Sequence, residues 1–140
     1  MSLYISINTA SSTLAKSPID DAITFMAAHA AIEKKNGRIP DGPSLDVTFL
    51  FPGEHEAIPF EGMKMGGYTT ESDTLFFETA VPGHILRSDS APEYVAVVMQ
   101  EVVENAQEFF IKNEIYFNAQ DWKRTMSNLT VSPTAVSLTH

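Results

Sequence analysis

GMKMGGYTTESDTLFFETAV, running from Gly62 to Val81, decides how this chain folds. In its first half Met63, Met65 and Gly67 share one side of an extended backbone. In its second half Leu75, Phe77, Thr79 and Val81 do the same. Thr70 to Asp73 collects polar, turn-forming residues between them, so the stretch predicts a β-hairpin. A slip of one residue would turn one strand inside out, which keeps Met63 and Met65 on the side of Leu75 and Phe77. Two registers meet that condition. One sets Tyr68 opposite Phe76 and the other sets Lys64 opposite Glu78, each pair favourable by roughly 0.2 to 1 kcal/mol. Both put Tyr68 and Phe76 on the outer face, and Gly66 with Gly67 signals a bulge or a close backbone contact.

Working outward, Leu45, Val47, Phe49 and Phe51 alternate with Asp46, Thr48 and Leu50 before Pro52 and Gly53 end the run. This is a further strand, and its Leu50 joins Tyr68 and Phe76 on the outer face. Helices flank the strands. The first opens at Ser17 and Pro18, carries Ile19, Ala22, Ile23, Met26 and Ala30, and stops at Asn36 and Gly37. The second spans Ser90 to Asn113, with Ser90 and Glu93 spaced as a capping box and Pro92 suited to the first turn. Val95, Val98, Met99, Val102, Ala106, Phe109 and Phe110 recur at steps of three and four on its buried side.

Leu3 to Ile7 reads as a short strand, and Asn118 with Asp121 caps a last helix bearing Trp122, Met126 and Leu129. The expected fold is one α+β domain over 1–140, in the order β-α-β-β-β-α-α. Its antiparallel sheet has three to five strands with helices on one face, and segments 1–16 and 130–140 are peripheral.

Composition narrows function by exclusion. Eighteen acidic residues against nine basic ones give a formal charge of −9, so a polyanion would meet net repulsion and nucleic acid is disfavoured as a partner. The absence of cysteine removes disulfides, thiolate nucleophiles and cysteine-based metal sites. No apolar run approaches the roughly 20 residues of a membrane helix, and no basic flank precedes an apolar stretch at the start, so a cytoplasmic location is expected.

Candidate chemistry is sparse. His29 and Glu33 are four apart on a helix, a metal or proton-transfer spacing that more often marks an ordinary surface pair. Glu54, His55 and Glu56 form an acid-imidazole-acid cluster beside a turn, the alternative site of a small enzyme or ligand-binding domain with its pocket between helix and sheet. Met63 and Met65 are soft donors but read as core filler. No phosphate loop or nucleophile elbow is present, and neither cofactor nor metal is expected.

What remains is surface. Glu93, Glu101, Glu104 and Glu108 leave the long helix acidic against its single Lys112, and Leu50, Tyr68 and Phe76 form an apolar group on the far side of the sheet. The predicted binding residues are Leu50, Tyr68, Phe76, Glu101, Glu104 and Glu108, facing a protein partner, basic in character, or a second copy of the chain. The plainer alternatives are that the N-terminal strand, the C-terminal tail or the helix around Trp122 covers the apolar group and that the glutamates are the solvated face of a core helix.

The order of helix, three strands and helix resembles double-stranded-RNA-binding domains, but the basic loop of those modules is absent and the charge has the opposite sign. With its length, acidity and lack of cysteine, the chain is also similar to the front part of the acidic dimeric secretion chaperones of bacteria, departing from them after Asn113. Its composition resembles that of small acidic bacterial immunity proteins, which neutralise basic toxins. Either resemblance implies a non-enzymatic module that binds a protein partner.

Overall fold

The computed structural model describes residues 3–9, 17–51, 62–85 and 88–130. Strand β1 (Leu3–Thr9) leads to helix α1 (Pro18–Lys35), followed by strands β2 (Ser44–Phe51), β3 (Met63–Thr69) and β4 (Thr74–Ala80) and by helices α2 (Ala91–Lys112) and α3 (Ala119–Leu129). The class is α+β, as expected. The sheet is not antiparallel, however. Its strand order is β1-β2-β4-β3, with β2 parallel to both β1 and β4 and only β3 antiparallel to its neighbour.

The cause lies in the connections. An α-helix of 18 residues joins β1 to β2, and such a crossover returns the chain to the end from which the first strand began, which gives a parallel pair. The β3–β4 hairpin then folds so that β4 enters between β2 and β3. Leu3–Thr9 is therefore an edge strand of the sheet, longer than the five residues expected.

Alternation builds the core. Leu45, Val47, Phe49 and Phe51 of β2 and Leu75 and Phe77 of β4 are buried with Ile19, Ile23, Met26 and Ala30 of α1 and with the apolar side of α2. Trp122, Met126 and Leu129 bring α3 into the same cluster. At the start of α1, Ser17 caps as expected, its Oγ accepting from the Asp20 amide at 3.3 Å. The capping box at the start of α2 does not form. The Ser90 side chain makes no capping bond, and its own amide donates to Ser88 Oγ at 3.0 Å, so a turn begun two residues earlier takes the place of the serine cap. No helix among the described residues is long and apolar enough to cross a membrane.

The hairpin holds the most consequential departure. Lys64 lies opposite Glu78, one of the two expected registers, but the register shifts between Met65 and Gly67. Gly67 takes a φ of +128°, a backbone conformation that residues other than glycine rarely adopt. Beyond this bulge Gly67, not Tyr68, faces Phe76, and Tyr68 faces Leu75. One extra residue reverses the alternation, so Tyr68 turns to the helix side. Its ring lies 5.7 Å from those of both Phe109 and Phe110.

The Tyr68 hydroxyl donates to the Asp73 carboxylate at the far end of the turn, a bond that, with burial and the Asp73 charge, pushes the phenol up from its ordinary value. Asp73 itself adopts a left-handed φ of 50°. The expected glycine signal is present. Its effect on Tyr68 is the correction.

Candidate functional site

With Tyr68 gone, the outer face of the sheet, helix-free among the described residues, changes character. Strand register lines up Tyr4, Asp46, Phe76 and Gly67 in one row, and Thr48, Glu78 and Lys64 in the next. Leu50 and Phe76 are half-buried there. The charged side chains of Asp46, Glu78 and Lys64 stand among them, so this face is a mixed surface rather than a continuous apolar patch.

Asp46 is perturbed by that setting, burial raising its carboxyl above the usual 3.8. A carboxyl raised in the folded state binds its proton more tightly there than in the unfolded chain. It therefore costs stability as pH rises through its folded value, and costs nothing below 3.8. Asp46→Asn should accordingly raise the urea midpoint at neutral pH, with the gain fading as pH falls through the folded value and gone below pH 3.8. A variant less stable than wild type at neutral pH would contradict this placement.

The long helix gives a more organised surface. Its outward side carries Val97, Glu101, Glu104, Glu108 and Ile111 at steps of four, three, four and three, all exposed, so they form one ridge about 21 Å long at 1.5 Å per residue. Three carboxylates occupy its middle. Large aliphatic side chains stand at both ends, Val97 57% and Ile111 69% exposed, where a helix facing only water would carry polar groups.

A groove flanks the ridge on each side. Between α2 and α3, a hollow of about 460 Å³ is lined by Ala96, Val97, Glu101, Glu104 and Thr130, among others. Gln100 ties the two helices together there, its amide donating to the Lys123 carbonyl at 3.2 Å and to Ser127 Oγ at 3.1 Å. Between α2 and β3 a second hollow, of about 370 Å³, is lined by Met63, Met65, Asn105, Glu108, Phe109 and Lys112. The two methionines expected to fill the core are only half-buried and form one wall of this groove, with Asn105 Nδ2 donating to Met63 Sδ at 3.3 Å. Thioethers suit such a site because they are polarisable and adapt to the shape of an incoming side chain.

The α2 ridge is held firmly from beneath. Phe110 is fully buried, 5.1 Å from the ring of Phe117, which stacks on Trp122. At the other end Tyr94 is half-buried. Burial pushes its phenol up, while its hydrogen bond to Thr79 on β4 pulls the other way. The carboxylates thus stand on a rigid element, with little ordering left to complete when a partner arrives.

Of the predicted binding residues, Glu101, Glu104 and Glu108 share the ridge, Leu50 and Phe76 lie on the helix-free face, and Tyr68 packs under α2. They do not form one site. Glu54, His55 and Glu56 lie outside the described residues. His29 and Glu33 do meet, Nε2 to Oε1 at 3.7 Å, and Glu33 also accepts from Arg38. Among the described residues no three His, Asp or Glu side chains gather as metal ligands. Sequence reasoning missed Val97 and Ile111, although their spacing from the three glutamates was available to find them.

No family model, curated protein or solved structure matches this chain.

Proposed function

We infer that this chain is a non-enzymatic protein-binding module, immunity-like or chaperone-like in general type, that engages a basic protein partner through the outer side of α2. The observation that carries this reading is the ridge of Glu101, Glu104 and Glu108, bracketed by exposed Val97 and Ile111 and flanked by a groove on each side. Buried apolar contact supplies affinity at such surfaces, while charge steers the encounter and fixes register. A partner that fits presents lysine or arginine side chains to the ridge and apolar side chains to the grooves. The net charge of −9 supports the same sign of partner at long range. The helix-free face contributes less, because its apolar Leu50 and Phe76 are interrupted by charges.

The test is charge reversal. Glu101→Lys, Glu104→Lys and Glu108→Lys combined should weaken binding of a purified captured partner on the order of tenfold or more, mainly through slower association. The wild-type affinity should fall as salt is added. Binding unchanged by the triple variant, with a normal circular dichroism spectrum, would reject the ridge.

A further inference from the structure

A cleft of about 450 Å³ opens between the end of α1, the loop that follows it and α3, and none of its lining residues belongs to α2. Two of the three arginines in the chain line it, Arg38 from the loop and Arg124 from α3. Each guanidinium is oriented by its own carboxylate. Arg38 Nη1 donates to Glu33 Oε1 and Arg124 Nη1 donates to Asp121 Oδ1, both at 3.3 Å. The Glu33 side chain is only 13% exposed and also meets His29, so this wall of the cleft is fixed in place. A guanidinium carries five donors, which leaves each arginine with N–H groups for a guest. Among the described residues Asp41, also in the lining, has no ion pair, and the side-chain amide of Asn128 there has no hydrogen bond.

The charges in this lining are two guanidiniums and three carboxylates, those of Glu33, Asp41 and Asp121. A lone anion meets a surplus of negative charge. A lone cation meets two guanidiniums. Apolar lining is slight, since Ile39 is buried and Pro40 half-buried, so an oily guest has little to hold. The volume falls within the range of small-molecule sites, about 300 to 1,000 Å³. We propose that the cleft binds a small zwitterion of amino-acid type, its carboxylate between Arg38 and Arg124 and its ammonium at Asp41. This assignment is independent of the α2 ridge.

Titration of the isotopically labelled full chain with L-serine, acetate, ethylammonium and inorganic phosphate, followed by amide chemical shifts, tests it. L-serine should produce saturable shifts at Arg38, Asp41, Arg124 and Asn128. Acetate and ethylammonium should each bind roughly fivefold or more weakly, having lost one of the two ion-pairing ends. The Arg38→Ala/Arg124→Ala double variant and Asp41→Asn should each weaken L-serine binding by a similar factor. Arg38 and Arg124 are 66% and 72% exposed, so their removal should leave the fold intact. Acetate or phosphate binding as tightly as L-serine would make this an anion site, and ethylammonium doing so would make it a cation site. Either result overturns the proposal, as does the absence of saturable shifts or their survival in the double variant.

Discussion

Replacing Phe110 with alanine is expected to lower the unfolding free energy by about 3 to 5 kcal/mol. Phe110 is 0% exposed and sits where four parts of the fold meet. Its ring lies 5.7 Å from Tyr68 on β3, 5.3 Å from Phe109 on α2 and 5.1 Å from Phe117 in the segment before α3, and Phe117 continues the stack to Trp122. Removing the ring forfeits its burial, leaves a cavity and severs edge-on aromatic contacts worth about 0.5 to 1.5 kcal/mol each. Against a typical stability of about 5 to 15 kcal/mol the loss is severe. Urea unfolding followed by the fluorescence of Trp122, the sole tryptophan, measures it. Phe109→Ala should cost less, because that ring is only half-buried. A Phe110→Ala variant within about 1 kcal/mol of wild type, below the usual range for such a truncation, would mean that the aromatic stack does not hold α2 to β3.

Gly67→Val is the second large effect, of about 1 to 3 kcal/mol. Nothing lies within 4 Å of the Cβ this substitution adds, so crowding is not the cause. The strain comes from a φ of +128°, which a β-branched residue avoids. Relief requires the strand to lose its bulge, and without the bulge Tyr68 would return to the outer face and abandon Phe109 and Phe110. The variant should therefore show both a lower urea midpoint and weaker nuclear Overhauser contacts between the Tyr68 and Phe110 rings. Wild-type stability with those contacts intact would show that glycine is not required there.

These two residues also mark where the sequence was legible. The hairpin and its turn are local, and alternation between Met63 and Val81 announced them while leaving two registers, of which the Lys64–Glu78 one forms before the bulge. The buried stripe of α2 and the Asn118 cap of α3 followed from spacing in the same way. Strand direction did not follow, because it depends on where β4 enters the sheet. The helix between β1 and β2 did carry a signal for a parallel pair, through the crossover it imposes.

Tyr68 departs from the expected face for a different reason. Gly66 and Gly67 signal a bulge, and because each side chain after a bulge changes face, simple alternation does not carry across it. Ser90 satisfied the spacing of a capping box, yet Ser88 had already set the turn. The glutamates of the candidate surface were readable as one acidic side of α2. Its grooves were not, since they are made with α3 and β3, whose positions only the tertiary fold fixes.

Hydrogen–deuterium exchange of the full chain, free and bound to a purified captured partner, tests the docking of a basic protein on α2 most directly. The ridge reading predicts added protection concentrated in α2 from Val97 to Ile111, extending to β3 around Met63 and Met65 and to the end of α3 around Ser127, with no change over β2. Protection confined to β2 and β4, with exchange in α2 unaltered, would contradict it.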